Sequence, residues 1–272
     1  MKHALKVWPS LREFLKEYKH ILLFLDYDGT LTPIAKRPDL AVLSRGTRGL
    51  IESLRDSERF IVCLVSGRSI TDLKARVGVE GIIYVGNHGL EMEGLGMRFV
   101  NATARKSRPI LKRIYKELNT GLKSIAGAFV EDKGLSLTLH YRLVKKIDVP
   151  IAKDIFDTIV RPYLSRKEIK VNGGKKVLEV RPPVAWDKGK ATLWVLKRYK
   201  VHLETNSILP VCFGDDCTDE SAFKAVGDNG VTIFVGSANS NTAARLFLKS
   251  PKEVGKFLER LVRTFGLGPR KP

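Results

Sequence analysis

Apolar residues recur along the chain in short unbroken runs. The clearest are Ile21-Leu22-Leu23-Phe24-Leu25, Phe60-Ile61-Val62-Cys63-Leu64-Val65, Ile208-Leu209-Pro210-Val211-Cys212-Phe213 and Val231-Thr232-Ile233-Phe234-Val235. Five or six such residues are too few for the core of a helix, so these runs predict strands buried on both faces, as in a parallel sheet. Gly81 to Gly86 is a further short strand by the same pattern. Between the strands the spacing becomes helical. Leu11, Phe14, Leu15 and Tyr18 share one face, opened by Ser10 and Glu13 as a capping box, and helices are predicted from about Ser44 to Asp56, after Ser69, up to about Lys200 and from Asp219 or Glu220. Strands alternating with helices predict an α/β fold with a mostly parallel sheet flanked by helices.

From about Asn101 the pattern changes. A basic amphipathic helix to about Ala126 precedes two alternating segments, 128–131 and 135–142, joined at Asp132-Lys133-Gly134. A helix from about Val149 to Leu164 and a second hairpin follow, 169–171 with 177–180, turning at Asn172-Gly173-Gly174. An α-β-β-α-β-β unit within a βαβ chain predicts an inserted domain with its own antiparallel sheet, residues 101–181, inside a core of 1–100 and 182–272. Strand alternation gives that sheet one buried and one polar face, and Glu131, Lys133, His140, Arg142 and Glu179 fall at candidate polar positions.

The 272 residues, 43% hydrophobic, describe a globular protein with room for a sizeable core. No apolar run approaches the roughly 20 residues of a membrane span, and the first residues lack a secretory apolar segment, so the expectation is a cytoplasmic protein. Three cysteines without CxxC spacing are expected to be reduced core thiols rather than a disulfide or zinc framework. Lys and Arg number 48 against 29 Asp and Glu, a net charge of +19, which favours anionic partners and phosphorylated substrates. The basic residues are spread along helices without a nucleic-acid module, so a solvated surface accounts for them and no nucleic acid is expected. The absence of glutamine points to a hot-living source.

Candidate chemistry lies at the strand ends. The first run stops at Asp26-Tyr27-Asp28-Gly29-Thr30, which puts two carboxylates where open α/β sheets bind ligands and suggests Mg²⁺ and a reacting carboxylate. The same string is also an ordinary strand-ending turn. The second run stops at Ser66-Gly67-Arg68-Ser69, whose hydroxyl and backbone N–H groups could face an anion with Arg68 as a bidentate partner, or simply cap the next helix. Asn87 and His88 end another strand, Lys188 opens a helix, and Gly214-Asp215-Asp216-Cys217-Thr218-Asp219-Glu220 follows the last long run.

In that order these stations resemble the haloacid-dehalogenase-like phosphohydrolases, and among them the trehalose-6-phosphate phosphatases. Leu25 to Leu31, Val65 to Arg68, Gly86 to Glu91, Leu178 to Pro182 and Gly214 to Glu220 carry the likeness, which spans most of the chain. The resemblance implies a Rossmann-like core with an inserted α/β cap, Mg²⁺ as cofactor, and a sugar phosphate as substrate, with a trehalose-6-phosphate synthase as a possible partner. It implies Asp26 as nucleophile, Asp28 as acid and base, and Ser66 and Lys188 on the phosphoryl oxygens. Asp26, the Asp28 carbonyl and Asp215 would bind the metal, with Asp216 and Asp219 in the same site. Asn87, His88, Glu131, Lys133, Arg142 and Glu179 would bind the sugar, and Arg68 the substrate anion. For the inserted unit, a cross-strand ion pair between Arg142 and Glu131 is a competing account. Three other readings compete for the whole chain. They are a phosphatase of sucrose phosphate or mannosyl-phosphoglycerate, a basic nucleic-acid-binding protein, and a non-catalytic regulatory partner of a glycosyltransferase.

Overall fold

The computed structural model describes residues 1–266. The chain divides into two units, one formed by Met1–Arg98 together with the segment from Trp186 onward, the other by Phe99–Ala185. In the first unit the elements run β1 (Lys2–His3), α1 (Trp8–Lys16), β2 (His20–Asp26), α2 (Arg45–Arg55), β3 (Phe60–Val65), α3 (Ile70–Val77), β4 (Ile83–Gly86) and β5 (Glu91–Gly94), and β6 (Met97–Val100) straddles the boundary at Arg98. The inserted segment carries α4 (Ala102–Lys106), α5 (Arg108–Gly121), β7 (Phe129–Asp132), β8 (Leu137–His140), α6 (Val149–Ser165), β9 (Lys170–Gly174) and β10 (Val177–Arg181). The first unit resumes with α7 (Lys188–His202), β11 (Ile208–Gly214), α8 (Glu220–Val226), β12 (Val231–Val235), β13 (Leu246–Leu248) and α9 (Pro251–Phe265).

Among the described residues the larger sheet has nine strands in the order β1-β13-β12-β11-β2-β3-β4-β5-β6. Pairing is parallel from β1 to β4 and turns antiparallel at β5. The fold is therefore α/β with a mostly parallel sheet. The unbroken apolar runs are its central strands, and every residue of β3 and β11 is buried. Alternate residues of β2 (Ile21, Leu23, Leu25) pack with Leu15, Ile51, Leu54 and the α9 residues Val254, Phe257 and Leu258 in one core. The second sheet has four antiparallel strands, β7-β8-β10-β9, and a separate core in which Val130, Leu137, Leu139 and Val180 meet Leu111, Ile114, Phe156 and Val160 of α5 and α6. Cys63 and Cys212 are buried free thiols, and Cys217 is exposed.

Several boundaries differ from the sequence expectation, each for a local reason. The helix α1 begins at Trp8 with Pro9 in its first turn, so Ser10 is not its cap; the Ser10 hydroxyl donates back to the Val7 carbonyl. Glu13 instead accepts from Arg12 and Lys16. The long basic helix is broken at Ser107, because Pro109 has no N–H to continue it, and α5 ends at Gly121. The second hairpin of the insert turns at Lys175-Lys176, where Lys176 has φ +67°, rather than at 172–174. That register pairs Val171 with Val180, keeping both on the apolar face; a turn at the glycines would have moved them apart. The β5 and β6 strands escaped the apolar pattern since both are largely half-exposed, and they join through Leu95 (φ +51°) and Gly96 (φ +76°).

Candidate active site

The strands β11, β2, β3 and β4 lie side by side and parallel, so their carboxyl ends form one edge. Leu25 is level with Phe213, Asp26 with Val65, and Val65 with Val85. One step further along lie Asp215, Ser66 and, past Gly86, Asn87. The chain leaves β2 toward β3 on one side, and β11 flanks it on the other with β12 beyond, which makes the β2 end a point where strand order reverses. Crevices form at such points because the connecting helices diverge to opposite faces of the sheet.

Asp26 is 5% exposed and Asp219 3% exposed, and the Lys188 ammonium donates to both, at 2.7 Å to Asp26 Oδ1 and 2.7 Å to Asp219 Oδ1. Lys188 is the first residue of α7, fixed there because the preceding Asp187 side chain accepts from the Lys190 N–H. The other oxygen of Asp219 accepts from the backbone N–H groups of Asp215 and Asp216, 3.1 Å each, so one carboxylate shapes the loop and anchors the lysine. Two glycines leave the room required. A Cβ on Gly29, which has φ +92°, would lie 2.2 Å from Asp215 Oδ2, and one on Gly214 would lie 2.1 Å from the Asp219 carboxyl carbon. Burial, and the repulsion of Asp219 and Asp215, push the Asp26 carboxyl well above its ordinary range, although Lys188 pulls the other way. Burial alone would lower the Lys188 ammonium, but Asp219 and Asp26 outweigh it and raise it.

Asp26, Asp215 and Asp219 each offer an oxygen within 4.8 Å of the others. Three neighbouring carboxylates, two of them on the one Lys188 ammonium, leave excess negative charge in a largely buried place, and oxygen donors alone suit a hard divalent cation. The donor set thus fits Mg²⁺. Asp216 is outside this group; its Oδ1 accepts the Cys217 N–H at 2.6 Å.

Asp28 and Arg68 meet, but not as expected. Arg68 Nε donates to Asp28 Oδ2 at 2.6 Å and Nη2 to Asp28 Oδ1 at 2.7 Å, while Nη1 donates to Asp72 Oδ2 at 2.6 Å. Arg68 was expected to serve a substrate anion; in this structure its fork meets two carboxylates of this chain. Ser66 is buried, its hydroxyl accepting from the Arg68 N–H, and its carbonyl accepts from the His88 N–H. Asn87 is fully buried in a left-handed turn (φ +48°, followed by His88 at +55°), and its amide donates to Glu91 Oε1 at 2.7 Å, which also accepts the Ile70 N–H. Asn87 thus braces the strand-end loops through Glu91, while His88 is half-buried, its ring packed over Gly67.

In the inserted unit Glu131, Thr138 and Glu179 stand in one row across three neighbouring strands, so they share a face. Glu131 Oε2 is 2.8 Å from His140 Nε2, and the His140 ring stacks on Phe129 with centroids 4.4 Å apart. Glu179 is buried and draws together the Ser136 hydroxyl at 3.2 Å, Lys133 Nζ at 3.7 Å and Arg181 Nε at 3.9 Å. Arg142 Nη2 donates to the Lys175 carbonyl at 2.6 Å. Sequence reading singled out Glu179 and Lys133 but missed Arg181, two positions along the same strand and hence on the same face. It also missed Asp72 and Arg76, although Arg68, Asp72 and Arg76 at i, i+4 spacing are a legible ladder.

Comparison with known proteins gives one consistent result. A family model described as trehalose-phosphatase matches residues 24–252. Trehalose-phosphate phosphatase B of Arabidopsis thaliana is 35% identical over 255 residues, covering 90% of this chain and 67% of that protein. The trehalose-phosphate phosphatase of Mycobacterium tuberculosis (strain ATCC 25618 / H37Rv) is 37% identical over 251 residues, 91% of this chain and 62% of its own length. Among solved structures, the C-terminal domain of Candida albicans trehalose-6-phosphate phosphatase superposes with a TM-score of 0.76 at 26% identity, covering 96% of this chain and 97% of that one.

Proposed function

The chain belongs to the trehalose-phosphatase family of phosphoric monoester hydrolases, and on that premise we propose that it hydrolyses trehalose 6-phosphate to trehalose and phosphate through an aspartyl-phosphate. The observation that carries the reading is the convergence of Asp26, Asp215 and Asp219 with Lys188 at the carboxyl edge of the parallel strands. An Asp26 carboxylate oxygen attacks phosphorus, the bond from phosphorus to the sugar oxygen breaks, and that oxygen leaves with its electron pair and takes a proton from Asp28. Water then attacks the aspartyl-phosphate, giving its proton to Asp28; the bond from phosphorus to Asp26 breaks and the carboxylate is restored. Lys188 and the Ser66 hydroxyl hold the non-bridging oxygens, where charge must be met in the transition state. A Mg²⁺ ion held by Asp26, Asp215 and the Asp28 carbonyl, beside Asp219, would supply positive charge toward the phosphoryl oxygens and favour the ionised form of Asp26.

Sugar recognition falls to the polar face of the inserted unit. Glu131 and Glu179 accept from sugar hydroxyls, with Lys133, Arg142 and Arg181 as donors. The reaction is proposed for the cytoplasm, with a trehalose-6-phosphate synthase supplying the substrate. No helix among the described residues is long and apolar enough to cross a membrane. The test is phosphate release with Mg²⁺ and with EDTA across trehalose 6-phosphate, sucrose 6-phosphate, glucose 6-phosphate and p-nitrophenyl phosphate. The expected result is Mg²⁺-dependent release with a strong preference for trehalose 6-phosphate. Another preference would keep the chemistry and discard the substrate; no release from any ester would discard both.

A further inference from the structure

We infer that Arg68 is a positioning residue whose guanidinium fork fixes the Asp28 carboxylate beside the reacting ester oxygen, and that Asp72 and the 37–41 loop hold Arg68 for that purpose. The inference rests on the reading of Asp28 given above. A guanidinium has five N–H donors. Arg68 spends one on each Asp28 oxygen, one on Asp72 Oδ2, and one on the Pro38 carbonyl at 2.9 Å, which leaves no pair of donors for a phosphoryl group. The side chain is only 6% exposed, whereas that of Asp28 is 38% exposed and so remains open to a reactant. Both Asp28 oxygens are gripped in one plane, which sets the rotation of the carboxylate as well as its place.

The grip is itself braced. Asp72 accepts from Arg76 Nε at 2.9 and 2.8 Å, and Arg76 Nη1 donates to the Asp39 carbonyl at 3.1 Å. The Arg68 guanidinium lies 5.3 Å from the Tyr27 ring centre, and the Tyr27 hydroxyl donates to the Ala41 carbonyl at 3.1 Å. The end of β2, the first turn of α3 and the 37–41 loop thus converge on one carboxylate. An Asp28 oxygen that carries the proton can still accept from Arg68 through a remaining lone pair while it donates to the ester oxygen. Lysine could keep the charge but not the planar two-point grip.

The test compares Arg68→Lys with the unaltered protein on two esters. A sugar leaving group requires a proton as the bond to phosphorus breaks; p-nitrophenolate does not. Because kcat/KM reports events up to phosphoryl transfer onto Asp26, Arg68→Lys is expected to lower it about 10- to 100-fold on trehalose 6-phosphate but by less than about 3-fold on p-nitrophenyl phosphate. The inhibition constant of inorganic phosphate should stay within about twofold. In an Asp28→Asn background the same change should cost less than about threefold more, since the group it positions is gone. Equal losses on both esters, or a phosphate inhibition constant that rises in step with the loss, overturn the inference, the second by assigning Arg68 to the anion. Should Arg68→Lys not fold, Asp72→Asn loosens the brace from a half-exposed position and should show the same split between esters at about 3- to 10-fold; equal losses there overturn it too. Unaltered protein that hydrolyses neither ester overturns the proposed function and this inference together, whereas active unaltered protein with equal losses overturns the inference alone.

Discussion

The two units hold their charged groups differently. In the larger unit the charges sit at strand ends and helix starts and lock onto one another: Lys188 spans Asp26 and Asp219 at 2.7 Å each, and Arg68 grips Asp28 at 2.6 and 2.7 Å. In the inserted unit they sit along strands on one face, where Glu131 meets His140 at 2.8 Å and Glu179 has Lys133 at 3.7 Å and Arg181 at 3.9 Å. Short, buried contacts between residues as far apart as Asp26 and Lys188 fix geometry, which suits a bond-breaking step that tolerates little misplacement. Longer contacts around a carboxylate can exchange partners at low cost, which suits recognition of hydroxyl groups.

The sharpest way to break this comparison is Asp26→Asn. Turnover of every ester should fall by at least about 10⁴-fold while the variant stays folded, as removal of a nucleophile does. Normal turnover would take the chemistry away from the strand end. Next comes Lys188→Ala, which leaves two buried carboxylates without their cation and should cost about 3–5 kcal/mol in urea unfolding, with activity lost as well. The raised Lys188 ammonium carries a sign: its contribution is fully present below the ordinary lysine value of about 10.4 and fades as pH climbs through the higher folded value. Unfolding curves of the unaltered protein and Lys188→Ala should therefore differ most at neutral pH; a gap that widens with alkali would contradict the ion pair.

Glu179→Gln tests the inserted unit. Its kcat/KM on trehalose 6-phosphate should drop about 10- to 100-fold while p-nitrophenyl phosphate changes by less than about threefold. Equal losses would erase the division between the units. The smallest effect belongs to a helix cap. Ser44 caps α2 by accepting the Thr47 N–H at 3.0 Å, and Ser44→Ala should lower stability by about 1 kcal/mol without altering either ester's kinetics.

The sequence by itself determined the alternation of buried strands with helices, the insertion between them, and the placement of Asp26, Ser66, Lys188 and Asp215 at strand ends or helix starts. Unbroken apolar runs can be satisfied only by strands covered on both faces, and their polar successors must then fall on the sheet's edge. Tertiary structure alone decided which of those polar groups meet. That Lys188 lands on Asp26, that Arg68 meets Asp28, and that Asn87 reaches Glu91 depend on strand order and on side-chain geometry between distant segments. Local pattern fixes where a charge stands along its own element. Its partner is chosen by whichever opposite charge or hydrogen-bonding group the packed sheet brings within about 3 Å, because a buried charge left unpaired costs more than a single fold can carry.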